Sequence, residues 1–330
     1  MKVGILGAGA YALAISSLIK RNNHSISMWT AFEQERDNLL SLRKNDSVLR
    51  DYVLDENVVV TCDLEEVIKT CELIFIAVPV AFVSDVMRQV SLYVTEKNHF
   101  CIASKGIEQG TGLFVEEIIH QYIDTKNIAI ISGPTFAVDL IKDTPKGLTL
   151  ATKNMNTRSL VKEAIGHELL RLEDSSDIIG VELSGAIKNV IAISSGILEG
   201  MGACESTKAM FLTKAMHDMR TLLTSLGGDE KTWITYAFFG DLFLTCTSVK
   251  SRNYSYGVLV GKKNQAQIEE YEKSTTIEGL YTLKSIYSLL KDKDIQIPII
   301  DIIYRIVIEG HDVDEMITYL KTKRVHLNQE

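Results

Sequence analysis

Proline is scarce in this 330-residue chain, with 4 in all, and no low-complexity tract is present, so long extended linkers are excluded. The cysteines Cys62, Cys71, Cys101, Cys204 and Cys246 form no CxxC pair and no framework spacing. That excludes a disulfide scaffold and a structural zinc site, and it points to reduced thiols in a cytoplasmic protein. An excess of positive charge is also missing: 35 Lys+Arg stand against 43 Asp+Glu, a net charge of −8. Bulk charge therefore draws the chain neither to nucleic acid nor to an acidic membrane surface, and any anion it binds must be gathered locally. No stretch offers the ~18 uncharged apolar residues of a membrane span. The N-terminal apolar run that superficially resembles a secretory leader is interrupted by Gly4, Gly7 and Gly9. The histidines, from His24 to His326, make no HxH, HExxH or Cys/His cluster, and GxSxG is absent, so no metal centre and no serine-hydrolase elbow is expected.

What is present is ordinary globular composition, 46% hydrophobic and 24% charged, in a chain long enough for two domains. Up to about residue 175, short β-branched runs alternate with helical ones. Strands are predicted at 2–6, 25–29, 58–61, 73–78, 99–104, 128–132, 147–151 and 169–172. Helical periodicity lies at 33–43, 64–70, 80–93 and 113–122. This alternation predicts an α/β domain over residues 1–176, a parallel sheet with crossover helices. After the polar stretch Glu173–Asp177 the pattern becomes long and helical, predicting an all-helical domain over 177–330 with a short frayed tail after Thr322.

Gly4-Ile5-Leu6-Gly7-Ala8-Gly9-Ala10-Tyr11-Ala12 is a GxGxxA form of the dinucleotide fingerprint, set between the first strand and a helix. Gly7 permits the tight turn, Gly9 lets backbone approach a pyrophosphate, and Ala12 allows close helix–strand packing, while free N–H groups at the helix start attract phosphates. A chance glycine turn would not also follow a strand, open a helix and head an α/β series. After the second strand comes Trp29-Thr30-Ala31-Phe32-Glu33, where an adenosine ribose would lie. No base occurs before Arg36, and Glu33 would repel a 2′-phosphate, so NAD is favoured, with NADP as the alternative. Glu33 also suits a helix N-terminus in its own right. Phe32 is placed to stack on adenine or simply to pack.

Two segments of the second half carry further chemistry. Glu182-Leu183-Ser184-Gly185-Ala186-Ile187-Lys188-Asn189-Val190 embeds a Lys-Asn pair in a nearly buried helix, where lysine needs a partner unless it snorkels to an edge. In Gly240–Asn253, Asp241 and Thr245 share a helix face at i,i+4. Arg252-Asn253 follow with hydroxyls nearby, a set suited to a phosphate monoester or to a polar helix end.

These blocks, with Val78-Pro79, Ser104-Lys105-Gly106, Ser132–Ala137 and Glu278-Gly279 in order, resemble the NAD(P)-dependent glycerol-3-phosphate dehydrogenase family along nearly the whole chain. The resemblance implies an N-terminal Rossmann-like doubly wound sheet, a helical C-terminal domain, and reversible reduction of dihydroxyacetone phosphate to sn-glycerol 3-phosphate, feeding glycerophospholipid or glycerol-phosphate polymer supply. It implies Lys188 as the catalytic general acid, Asp241 orienting it, and Lys105 as a second active-site lysine. Asn189, Thr245, Arg252 and Asn253 are the implied substrate set. The implied cofactor contacts are Gly7, Gly9, Ala10, Tyr11, Phe32, Pro79, Phe82, Lys105, Ala137, Arg252 and Glu278. A small phosphorylated substrate is the expected partner, with a homodimer as the oligomer to test.

The chain departs from the family pattern at Ala12, Ser206, Lys214 and Phe238-Phe239, which bears on the fine shape of the site. The competing expectations are a related two-domain dehydrogenase acting on another phosphorylated carbonyl or a 3-hydroxy acid, and a catalytically silent binding protein. The Arg252-Asn253 set argues against a substrate without phosphate, and intact Lys188 and Asp241 argue against silence.

Overall fold

The computed structural model describes residues 1–50 and 52–322; the expected frayed tail and His326 lie outside them. The predicted strands form as β1 (Lys2–Leu6), β2 (Ser25–Trp29), β3 (Val59–Thr61), β4 (Leu73–Ile76), β5 (His99–Ile102), β6 (Ile128–Ser132), β7 (Lys146–Ala151) and β8 (Leu170–Ser175). They make one sheet in the order β3-β2-β1-β4-β5-β6-β7-β8. Between them run α1 (Ala10–Arg21), α2 (Glu33–Leu42), α3 (Leu64–Thr70), α4 (Val83–Val90), α5 (Val115–Tyr122), α6 (Ala137–Leu140) and α7 (Met155–Ile165). The strands are apolar almost throughout because both sheet faces are covered. Val3, Ile5, Met28 and Phe75 pack beneath α1 and α7, while Leu6, Ile74, Ile76 and Phe100 pack beneath α3, α4 and α5.

Two expectations about this sheet need correction. The sheet is not wholly parallel, because β6 and β7 pair antiparallel, Ile130 opposite Ala151 and Ser132 opposite Thr149. Only the single turn α6 separates them, in place of the full crossover helix that a parallel return employs. The last strand also runs past the expected end at residue 172 into the polar stretch. Glu173, Asp174 and Ser175 continue β8 against Thr149, Leu150 and Ala151. As an edge strand β8 tolerates charge, and Lys162 of α7 reaches Asp174 at 2.7 Å.

The chain divides into two compact units, the first formed by Met1–Gly185 with Lys231–Asp241, the second by Ala186–Glu230 and the residues from Leu242 onward. The division thus falls inside α8 (Ile178–Gly200) rather than at 176/177, and an eleven-residue segment returns to unit 1. That segment is held by the sheet. Thr232 Oγ1 donates to Asp177, Ala237 N–H donates to Thr149 Oγ1, and a methyl group at Gly147 would stand 2.7 Å from the Tyr236 ring.

Beyond α8, unit 2 consists of α9 (Glu205–Ser225), α10 (Asp241–Thr247, whose first residue belongs to unit 1), α11 (Arg252–Gly261), α12 (Gln265–Ser274), α13 (Glu278–Asp292), α14 (Pro298–Val307) and α15 (Glu315–Lys321). No strand occurs among its described residues, as the pattern predicts. By length and mean hydropathy (1.3) α8 passes for a membrane span, although Glu182 and Lys188 interrupt it; 94% of its apolar window is buried within the protein, as in a core helix. Gly196 and Gly200 of α8 lie against Gly257 and Gly261 of α11 so closely that a Cβ on Gly257 would meet the Ile193 carbonyl oxygen at 2.0 Å.

Helix propensity alone favours alanine over glycine by about 1 kcal/mol. Here overpacking reverses the sign, so Gly257→Ala is expected to lower the unfolding free energy by about 2–4 kcal/mol in denaturant titration. An unchanged or raised midpoint would mean that α8 and α11 are not in backbone contact.

Candidate active site

In unit 1, β1 and β4 flank the point where strand order reverses, the position at which doubly wound sheets take ligands at their carboxyl ends. The β1–α1 turn sits there. Gly7 has φ +115°, and a Cβ on it would lie 2.9 Å from the Ala77 carbonyl oxygen of the neighbouring β4 end. Gly9 caps α1 without any side-chain hydrogen bond, and the space where its Cβ would project is open. An uncapped helix start beside an open cradle fits the pyrophosphate of a dinucleotide. Ala12 is fully buried on α1, so the departure from glycine is accommodated.

Around this turn stand Ala10 and Tyr11 on α1, half-buried, and two exposed aromatics, Phe32 at 68% and Phe82 at 56%. Pro79 precedes the short turn holding Phe82, and Ala137 opens α6. At the end of β2, Thr30 Oγ1 donates to Glu35 at 2.5 Å. The Arg36 guanidinium is taken by Asp37 at 2.8 Å, which raises its pKa further. The base nearest the ribose end is therefore already paired.

Lys105 follows β5. Its Nζ donates to Asp241 Oδ2 at 2.7 Å and to the Gly133 carbonyl at 3.4 Å, and it lies 5.9 Å from the centre of the Tyr11 ring. The Asp241 side chain is 1% exposed. The returning segment sets this carboxylate, because Tyr236–Gly240 forms a wide π-helical turn, capped by Thr235, that runs straight into α10. The Lys105–Asp241 partnership was not assigned from sequence, where Asp241 was expected to orient Lys188.

Unit 2 gathers the other expected residues. Lys188 and Asn189 are buried on α8, Thr245 on α10 and Asn253 on α11. Glu278 joins two of them to each other: Asn189 Nδ2 donates to one of its oxygens at 3.3 Å, and Arg252 Nη2 to the other at 3.4 Å. Asn253 Oδ1 accepts the Gly279 N–H at 2.8 Å, so its carboxamide presents only its NH₂ as a donor. Arg252 opens α11 just after Ser251, whose Oγ accepts the Tyr254 N–H. Glu278, expected as a cofactor contact, thus also sets Arg252 beside Asn189.

Sequence reading missed several supports. Ser104 Oγ donates to the Val78 carbonyl at 2.5 Å, and Tyr11 OH meets Thr135 Oγ1 at 3.1 Å. The repeated GxxxG spacings at 196–200 and 257–261 were the available signal for the α8–α11 contact. Lys214, read as bearing on site shape, instead caps α15, donating to the Thr322 carbonyl at 2.9 Å and covering the Tyr319 ring. Ser206 is exposed on the first turn of α9, Phe238 is buried, and Phe239 is 44% exposed. No group of acidic, His or Cys side chains suited to a metal occurs among the described residues.

A Rossmann sheet with an open glycine cradle, followed by a helical unit carrying a buried Lys-Asn pair and an Arg-Asn pair, defines a two-domain nicotinamide-dependent oxidoreductase. The model of the NAD-dependent glycerol-3-phosphate dehydrogenase N-terminus matches residues 2–158, and that of its C-terminus matches residues 177–318. The chain is 32% identical over 319 residues to the glycerol-3-phosphate dehydrogenase [NAD(P)+] of Staphylococcus aureus (strain bovine RF122 / ET3-1), covering 96% of each chain. It is 31% identical to that of Staphylococcus epidermidis, covering 97% of each. The crystal structure of glycerol-3-phosphate dehydrogenase from Coxiella burnetii superposes with a TM-score of 0.91 at 26% identity, covering 98% of this chain and 99% of that one. The chain belongs to the NAD-dependent glycerol-3-phosphate dehydrogenase family.

Because the space beyond Gly9 is open, Gly9→Val should change folding stability by no more than about 1 kcal/mol. Its NADH dissociation constant, read by fluorescence quenching, should rise at least about tenfold. Unchanged affinity would place the pyrophosphate elsewhere.

Proposed function

We propose that this protein is an NAD-dependent glycerol-3-phosphate dehydrogenase, reversibly reducing dihydroxyacetone phosphate to sn-glycerol 3-phosphate. The observation that carries the reading is the Asn189–Glu278–Arg252 chain of hydrogen bonds, which sets a guanidinium beside the Lys188-Asn189 pair. The alternative, a substrate lacking phosphate, gives that guanidinium no task.

A bound nicotinamide would supply hydride; in unit 1 the β1–α1 cradle with Phe32, Phe82 and Ala137 would hold the cofactor, and Glu278 is the contact proposed from unit 2. Lys188 donates a proton to the carbonyl oxygen as negative charge builds there. A buried lysine is suited to this because it brings both a proton and a positive charge to the place where negative charge develops. Asp241 holds the Lys105 ammonium, which faces the substrate as a second positive group. Arg252 binds the phosphate through its planar fork, with Asn253 and Thr245 as neutral partners. NADH is the preferred cofactor, since Glu33 and Glu35 lie near the ribose end and Arg36 is occupied by Asp37. Residues 1–176 are proposed as the dinucleotide half and residues 177–330 as the substrate half, with 177–185 and 231–241 of the latter packed into unit 1. A cytoplasmic site of action accords with five free cysteines, and self-association as a homodimer is to be read by sedimentation.

The direct test is NADH oxidation at 340 nm with dihydroxyacetone phosphate, repeated with NADPH. NADH is expected to be the better cofactor by about tenfold in kcat/KM, and absence of turnover would end the reading.

Lys188→Ala should lower kcat by at least ~10²-fold with the NADH dissociation constant unchanged. A variant keeping a tenth of wild-type kcat would remove Lys188 from its role.

Arg252→Lys should not rescue the loss seen in Arg252→Ala, about 10²-fold in kcat/KM for dihydroxyacetone phosphate. Unphosphorylated dihydroxyacetone should lose far less. Equal losses on both substrates at unchanged Tm would move the phosphate away from Arg252.

A further inference from the structure

Glu182, near the start of α8, is a buried carboxyl that the scheme above does not use. Its Oε1 accepts the N–H of Glu116, in the first turn of α5, at 3.1 Å. Its Oε2 is enclosed and without a hydrogen-bond partner, as is Ser132 Oγ at the end of β6. Both residues line one cavity with Ser104, Lys105, Gly106 and Gly185. Gly185 lies one helical turn beyond Glu182, on the same face. A Cβ on Gly185 would stand 3.3 Å from both Lys105 Cγ and Ser132 Oγ, so the lysine stem and the serine hydroxyl converge over that glycine.

We propose that Glu182 is a positioning residue, its carboxyl fixing the cavity wall along which Lys105 reaches Asp241. The charge balance of the corner supports this assignment. Burial, and then the proximity of Glu116 and Glu117 on α5, push the Glu182 pKa up to about 8 against the opposing backbone hydrogen bonds. At neutral pH the group is an uncharged acid, whose O–H on Oε2 is available inside the cavity. Lys105 then has Asp241 as its carboxylate partner. Above pH 8 Glu182 becomes a second carboxylate on the same cavity as the Lys105 ammonium and competes with Asp241 for it. The charged groups nearest Glu182 are Glu116 and Glu117 from α5, while Lys105 lines the same cavity. Glu116 is itself answered by His120 at 3.8 Å and by Lys153.

The inference rests on the dehydrogenase reading for its kinetic arm only. Wild type, Glu182→Gln and Glu182→Leu are compared in kcat/KM for dihydroxyacetone phosphate from pH 6 to 9.5. Alongside, the Lys105 ammonium is followed by NMR in 15N-lysine-labelled protein and assigned with Lys105→Arg. Wild type should lose activity above about pH 8, and its Lys105 signal should shift over the same range. Glu182→Gln, neutral at every pH and able to donate and accept, should keep pH 7 activity within about threefold, lose the Lys105 shift, and retain only the alkaline limb set by loss of the Lys188 proton, displaced to higher pH than in wild type. Glu182→Leu should lose kcat about tenfold or more with the KM for NADH unchanged. A structural cap of α5 and nothing more would leave the pH profile and the Lys105 signal of Glu182→Gln like wild type, which overturns the proposal. If wild type shows no turnover, the dehydrogenase reading fails and the NMR arm decides this one: a shift abolished by Gln supports it, and no wild-type shift overturns it.

Discussion

A carboxylate that is 1% exposed needs a cation within reach, and Asp241 finds one in Lys105, 136 residues earlier in the chain. Losing one member of a buried pair costs more than the pair itself contributes, so both groups are needed where the fold places them. Much of unit 1 serves this meeting. The segment 231–241 leaves the helical half of the chain and crosses back to the sheet, where Thr149, Glu173 and Asp177 take up its polar groups. The Tyr236 ring packs against Gly147. The π-helical turn after it carries an extra residue per hydrogen-bonded ring, a device found often at functional sites, and it delivers Asp241 at the first turn of α10.

Unit 2 solves a different problem, bringing donors from two helices to a carboxylate on a third. Close approach of α8 and α11 through facing glycines fixes their register, and Gly279 does the same for α13. Its N–H is held by Asn253, and a Cβ there would lie 2.7 Å from the Asn189 carbonyl oxygen. With the three backbones in contact, Glu278 can touch Asn189 and Arg252 at once. The guanidinium is held by a long, half-exposed ion pair of 3.4 Å, weak enough for a phosphate to displace the carboxylate.

Local pattern made most of the architecture legible. Eight apolar β-branched runs became eight strands because a strand covered on both faces must be apolar along its length. GxGxxA became the β1–α1 turn because only glycine takes the φ of Gly7 without strain. The helical second half was legible from periodicity alone. The Lys188-Asn189 and Arg252-Asn253 pairs stood out because polar groups in apolar surroundings require partners.

Partners themselves are not local quantities, and there the tertiary structure decided. Nothing near Asp241 in sequence announces Lys105, and nothing in Glu173–Ser175 distinguishes an edge strand from a linker until β7 lies beside it. Lys214 read as part of the site's shape, whereas α15 uses it as a cap. Nothing in the sequence marks Glu182, yet its burial beside Glu116 and Glu117 of α5 raises its pKa. The amino-acid sequence by itself determined the elements, the dinucleotide turn and the chemical inventory, since these follow from side-chain type and period along the chain. Which inventory groups pair, and in which charge state, depended on distance and on exclusion of water, quantities that exist only once segments more than a hundred residues apart are packed together.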